Sequence, residues 1–268
     1  MRTKLILLLT CGSLAYAQPS RISDNSFLIE EAYNQERGIV QHIVLFDKDW
    51  STKHLGLSFA QEWPLGGQMW QGAYVVHTDR EFEGFVLEAQ LRRQFYLNSN
   101  VALAPNVFGV LPTGQAEPIT EYEDGGRFGV GLPISIAASN AMTMHLNFSV
   151  EYFRMVQNSL FGAQESDDVP YGIYSALAPH FGASAVRMLT STTDIMLEFV
   201  YDTEWLEEPR FRDEQSAMII SPGFRHTWNF SSGAQMVGGF GLPIGLTDDV
   251  PEMSGLFYLS FEHSFLKQ

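Results

Sequence analysis

The chain has a single cysteine, Cys11, in 268 residues, and no apolar run approaches the ~20 residues that a membrane-spanning helix needs. The first absence excludes a disulfide framework, and the second excludes a helical membrane protein. Charge is also scarce. Only 18% of residues are Asp, Glu, Lys or Arg, and 31 acidic against 16 basic residues leave a formal charge of −15. An acidic protein is not drawn to polyanions, so nucleic acid is excluded as a partner, whereas divalent cations fit.

Catalytic and cofactor signatures are missing too. There is no H-x-H and no CxxC, and the seven histidines are scattered singly, so no metal site is expected. "GGFGLPIG" at 238–245 lies in a strand-like stretch, where its glycines relieve crowding or form a bend and do not cradle phosphate. The nearest approach to a nucleophile with its base is His145-x-Asn147-x-Ser149. Four strand residues separate His145 from Ser149 by roughly 13 Å, too far for proton transfer. "ESDDVP" at 165–170 and "TDDVPE" at 247–252 lack the spacing of a calcium loop and read as solvated acidic loops. The expectation is no catalytic residue, no metal and no cofactor.

What is present begins with the N-terminus, "MRTKLILLLTCGSLAYAQPS". Arg2 and Lys4 precede the apolar run from Leu5 to Leu9, and Ala15-Tyr16-Ala17 is an A-x-A site, so 1–17 reads as a signal peptide cleaved after Ala17. The alternative, acylation on Cys11, is disfavoured by the bulk of Thr10 before it. The mature chain then has no cysteine and must be held by sheet hydrogen bonds and packing. Residues 18–37, with "FLIEEAYNQE", read as a segment that hangs in the periplasm or folds inward as a plug.

Residues 38–268 contain twelve alternating or β-rich stretches: about 38–46, 53–63, 68–77, 84–96, 100–112, 127–137, 141–154, 171–188, 194–201, 216–230, 234–246 and 254–266. Most approach the 9–11 residues of a tilted membrane strand. The connections sort by parity. After the even strands come "PLGG", "LNS", "ASN", "TSTT" and "SSG", all short and uncharged. The connections after the odd strands hold 21 of the 31 Asp and Glu residues. A sandwich has no reason to segregate loops in this way, whereas an up-and-down barrel has short periplasmic turns and long outer loops. The fold expected is all-β, a single transmembrane up-and-down antiparallel β-barrel of about 12 strands with both termini periplasmic.

The facing pattern agrees. In "LFYLSFEHSF" from Leu256, Phe257, Leu259, Phe261 and Phe265 share one face, and Tyr258, Ser260, Glu262 and Ser264 the other. Met144, Phe148 and Val150 oppose His145, Asn147 and Glu151; Phe224 and Trp228 oppose Arg225 and Thr227. Trp63, Tyr152, Tyr201, Trp228 and Phe265 fall near strand ends, as an interfacial girdle would. Strands "GIVQHIVLF" and "QMWQGAYVVH" alternate poorly and leave their facing open. Pro105, Pro133, Pro179, Pro222 and Pro243, inside strands, call for bulges or bends. The inward polar set of Glu62, Glu88, Arg92, His145, Asn147, Glu151, Glu198, Arg225 and Glu262 forms a candidate lumen network, either a plug of salt bridges or a hydrated pore lining.

The blocks "NSFLIEEAYNQERGIVQHI", "FAQEWPL", "VLPTG", "LNFSVEYF", "FGASAVRML", "IMLEFVYD", "SPGFRH" and "LFYLSFEHSF" resemble a group of Gram-negative outer-membrane barrels related to the transporters associated with phenol and meta-pathway degradation. The final strand is similar to the signal read by the barrel assembly machinery, although Leu266, Lys267 and Gln268 trail Phe265. The resemblance implies an outer-membrane channel or transporter for small, including hydrophobic or aromatic, molecules, with outer-membrane lipid around it. The alternatives are a barrel enzyme acting on envelope lipids and a structural or adhesive barrel.

Overall fold

A computed structural model describes residues 26–51, 55–67, 69–79, 84–114, 122–157, 173–206, 214–248 and 250–265. The expected leader, 1–17, and the acidic segment at 165–170 lie outside them. The described chain forms one antiparallel sheet closed on itself, without a helix among the described residues. Strands β1 (Ile39–Asp49), β2 (Leu55–Leu65) and β3 (Trp70–Asp79) are followed by β4 (Gly84–Arg93) and its short continuation β5 (Phe95–Tyr96). Next come β6 (Val101–Leu103), β7 (Asn106–Gly114), β8 (Tyr122–Ser139), β9 (Met142–Gln157) and β10 (Ile173–Thr190). The last five are β11 (Thr193–Leu206), β12 (Glu214–Asn229), β13 (Gln235–Gly241), β14 (Ile244–Gly245) and β15 (Ser254–Ser264). β1 pairs β15 at the seam, which leaves no open edge.

Fifteen segments make twelve strands, because three are broken without losing register. Arg92 faces Asn106 and, past the break at Gln94, Phe95 faces Leu103 in the same alignment. Arg225 faces Gly239 and, past Leu242 and Pro243, Ile220 faces Ile244. The twelve expected stretches therefore coincide with the twelve strands.

The prolines explain two of the breaks. Pro105 and Pro243 lie in the gaps, and Pro133 and Pro222 sit opposite them in the neighbouring strands. A proline offers no N–H to its neighbour, but its carbonyl still accepts: Ala104 N–H donates to Pro133 O and Leu242 N–H to Pro222 O, each at 2.9 Å. Pro133 and Pro222 form no bulge in their own strands, and neither does Pro179. Pro179 interrupts the β10–β11 ladder between Leu177 and His180 without shifting the register. The register shifts instead fall between Asp124 and Arg127, Ala137 and Ser139, and Met188 and Thr190, near strand ends.

Facing follows the period-two pattern. Phe257 is 55% exposed on the outside while Tyr258 is 4% exposed inside, and the poorly alternating strands are fixed by their neighbours. Gln41, Ile43, Gln71 and Ala73 turn inward, whereas Phe46 and Trp70 turn out. Short turns gather at one end. Gly66, Gly67 and Gly233 adopt positive φ there, and Asn98 Oδ1 accepts from the N–H groups of Asn100 and Val101. Arg37, Gly38 and Phe265 line a hollow with Pro64, Gly66 and Gly67, so both ends of the barrel chain lie at the short-turn end.

If that end is periplasmic, single cysteines at Glu121, Asp167 and Glu207 should label in intact cells with an impermeant reagent, and cysteines at Ser139 and Ser232 should not. The opposite pattern would invert the orientation.

Candidate functional site

Residues 26–37 enter the lumen at the short-turn end and form an irregular strap against the inner wall, bent at 27–29 and at 32. Ser26, Phe27, Ile29, Glu31, Ala32, Tyr33 and Gln35 are all buried there. The wall receives this strap mainly by its backbone. Leu28 N–H donates to Glu198 Oε1 at 2.8 Å, Glu30 N–H to Asn147 Oδ1 at 2.7 Å, and Ala32 N–H to Ser135 Oγ at 2.7 Å. Asn34 N–H donates to Gln94 Oε1 at 3.3 Å and Gln35 N–H to Gln71 Oε1 at 2.7 Å. In return, Asn147 Nδ2 donates to Glu30 O at 2.8 Å.

Arg92 is the main clamp. Its guanidinium, 1% exposed, donates to Glu31 O at 3.1 Å, to Tyr33 O at 2.7 Å and to Asn34 Oδ1 at 3.0 Å. Glu62 lies 3.7 Å away and accepts from Gln71 Nε2 at 2.6 Å. Three nitrogens of a planar fork each reach a different acceptor here, a spread that a single ammonium nitrogen lacks. At Arg92 the lumen is filled by peptide, with the ion pair to Glu62 beside it.

The other expected residues are placed as follows. Arg225, 1% exposed, pairs with Asp194 at 3.2 Å, a partner outside the inward set read from sequence. His145 Nδ1 lies 2.8 Å from Ser135 Oγ. Ser135, His145, Ser184, Glu198 and Ser221 face one another strand by strand across β8 to β12, a buried polar row that only register reveals. Among the described residues, His145 Nε2, Glu198 Oε2 and Ser221 Oγ have no hydrogen-bond partner. Glu151 lies 3.8 Å from Arg127. Glu262 faces Gln41 and Gln235, near the seam.

Apolar contacts complete the seat. A Cβ at Gly239 would lie 2.4 Å from Phe27 Cζ, one at Gly223 2.8 Å from Phe27 Cε2, and one at Gly182 2.4 Å from Ile29 Cδ1. These glycines leave the room that the strap side chains fill. Phe27 also packs on Tyr258, ring centroids 5.3 Å apart.

On the long-loop side of the strap, Leu28 and Glu30 floor a cavity of about 190 Å³. Glu88, Asn147, Glu151 and His180 line it. Glu30 is held by Gln90 Nε2 at 2.9 Å and Asn106 Nδ2 at 3.3 Å. Alternation put Ser221 and Asp194 on the polar face without naming them for the site, and sequence reasoning missed Ser135, Ser184, Gln71 and Gln94, since a neutral strand residue carries no signal of which partner it meets. No group of three metal-ligating side chains occurs among the described residues.

The fold defined by these features is the twelve-stranded transmembrane barrel. Comparison of the sequence with protein-family models and with curated proteins finds no match. Solved structures do share the fold. An outer membrane channel from Pseudomonas putida F1 is similar at TM-score 0.57 and 9% identity, over 87% of this chain and 98% of that one. The NanC porin is similar at TM-score 0.52 and 9% identity, over 84% of this chain and 100% of that one. The KdgM porin is similar at TM-score 0.50 and 6% identity, over 85% and 99%.

Proposed function

We propose that the chain is an outer-membrane channel for small molecules, delivered by its leader and inserted by the barrel assembly machinery, with residues 26–37 as its gate. The observation that carries this reading is a closed barrel, apolar outside and polar inside, whose lumen is filled by a chain segment held through side-chain hydrogen bonds and not through the sheet ladder. Such a segment leaves without opening a strand. The finer reading joins kinship with the phenol and meta-pathway transporters, which rests on the sequence blocks alone, to a cargo carrying an aromatic ring, which the glycine-lined seat of Phe27 supports. With Glu151 offset by Arg127, Glu30 and Glu88 at the cavity favour cations over anions.

A disulfide lock tests the gate. Ser26 Oγ and Ser184 Oγ are 2.9 Å apart, so the pair Ser26→Cys and Ser184→Cys sits close enough to bridge in an otherwise cysteine-free mature chain. Oxidised protein in planar bilayers should conduct little, and reduction should open it to a current carried mainly by cations. Equal conductance in both states would remove the gate.

The contact of Ser135 with His145 favours a second reading, a barrel enzyme acting on envelope lipids. Against it, both side chains are fully buried and Ser135 Oγ already accepts from the strap. Lipid hydrolysis by purified protein that is lost in Ser135→Ala would support that reading.

A further inference from the structure

Beside side-chain contacts at Ser26, Glu30, Asn34 and Gln35, the wall binds the strap by what every peptide has. Five backbone N–H groups, at Leu28, Glu30, Ala32, Asn34 and Gln35, donate to side chains from β11, β9, β8, the β4–β5 junction and β3. Three backbone carbonyls, at Glu30, Glu31 and Tyr33, accept from Asn147 and Arg92. Four of the five N–H groups recur at every second residue from 28 to 34. A plug of one fixed sequence is held just as well by its own side chains, whereas contacts to backbone amides tolerate any sequence, as peptide-binding grooves do.

Two further features suit an exchangeable occupant. Gly182, Gly223 and Gly239 face the lumen inside strands, where glycine costs stability, and they leave room for large side chains from the bound segment. The polar row also holds hydrogen-bonding capacity that the strap does not take up, at His145 Nε2 and Ser221 Oγ. Unsatisfied buried polar atoms are costly, and a second peptide lying differently can engage them.

Building on the channel reading, we propose that the strap occupies the place of cargo and that the lumen takes short peptides bearing an aromatic side chain. The strap is then an intramolecular competitor. Its attachment at Gly38 gives it a high effective concentration, so free peptide must displace it by mass action.

The test uses full-length protein folded with one engineered protease site between Glu36 and Arg37, both exposed, and then cut. Retained heat-modifiable migration verifies the barrel. A fluorescent peptide of sequence SFLIEEAYNQ should bind the cut protein with displacement of the strap. The same peptide N-methylated at the positions of Leu28, Glu30 and Ala32 should bind at least tenfold more weakly. In liposomes the cut barrel should pass an unrelated peptide with one phenylalanine several-fold faster than a neutral oligosaccharide of equal mass. A strap that never exchanges, equal binding of the N-methylated peptide, or oligosaccharide passage as fast as peptide would each overturn the proposal. Oligosaccharide passage without peptide preference would leave the channel reading standing, whereas no passage of any solute after strap release would remove the channel itself.

Discussion

Replacing Arg92 with alanine is expected to raise the flux of small neutral solutes through the protein by about 100-fold and to lower its unfolding temperature. The guanidinium is almost fully buried, donates to two strap carbonyls and to Asn34, and lies beside Glu62. Removing one partner of a buried charge pair costs about 3–5 kcal/mol, because the remaining charge is left without compensation. Part of that loss is in the barrel, where Glu62 loses the cation beside it and keeps its bond from Gln71. The rest is in the strap, which loses its clamp. If ~3 kcal/mol of it falls on strap docking, the undocked population rises about 100-fold at ~1.4 kcal/mol per tenfold. Arg92→Lys should recover only part of the effect, since a single ammonium nitrogen lacks the spread of the three guanidinium nitrogens that reach Glu31 O, Tyr33 O and Asn34 Oδ1. Liposome swelling and thermal unfolding in detergent measure the two quantities. Unchanged flux together with unchanged unfolding would show that Arg92 does not hold the strap.

The second large effect is expected at Gly239. An added methyl would stand 2.4 Å from Phe27 Cζ and 3.0 Å from Phe224 O, and no atom pair accepts the first of these distances. Phe27 has to move, and its ring is wedged between the glycine strands and Tyr258. Overpacking of this kind costs about 1–3 kcal/mol. Phe27→Ala alone should cost about 3–5 kcal/mol through the cavity it leaves. The double substitution should be less damaging than the sum of the two by at least ~1 kcal/mol, because the methyl added at Gly239 then fills space that the ring vacated. Reactivity of a Ser26→Cys reporter should rise in Gly239→Ala and fall back in the double variant. Additive effects would place Phe27 elsewhere.

How much of this was legible before the fold is clear from particular residues. Phe257, Leu259, Met144, Phe148, Phe224 and Trp228 declared their outward facing because an apolar residue at every second position has only one solvent that suits it. Short uncharged turns after even strands declared the up-and-down order. The five strand prolines marked where a ladder bond is missing, because the missing N–H is a property of the residue itself, but not that only Pro105 and Pro243 would interrupt a strand. That Pro133 and Pro222 would lie opposite those gaps could not be seen, since it depends on the register between strands far apart in sequence.

The lumen divides in the same way. Alternation alone marked Arg92, His145, Asn147, Glu198 and Arg225 as inward, and the sequence left residues 18–37 a choice between periplasm and lumen. Partners were beyond its reach. Arg92 meets the carbonyls of residues 31 and 33, Asn147 the backbone of Glu30, and Arg225 meets Asp194, across separations of 31 to 117 positions. Facing is local, because each strand carries its own period of two. Pairing is not, because closing the barrel sets which rows align, and only that closure brings the strap, the glycine seat and the polar row together.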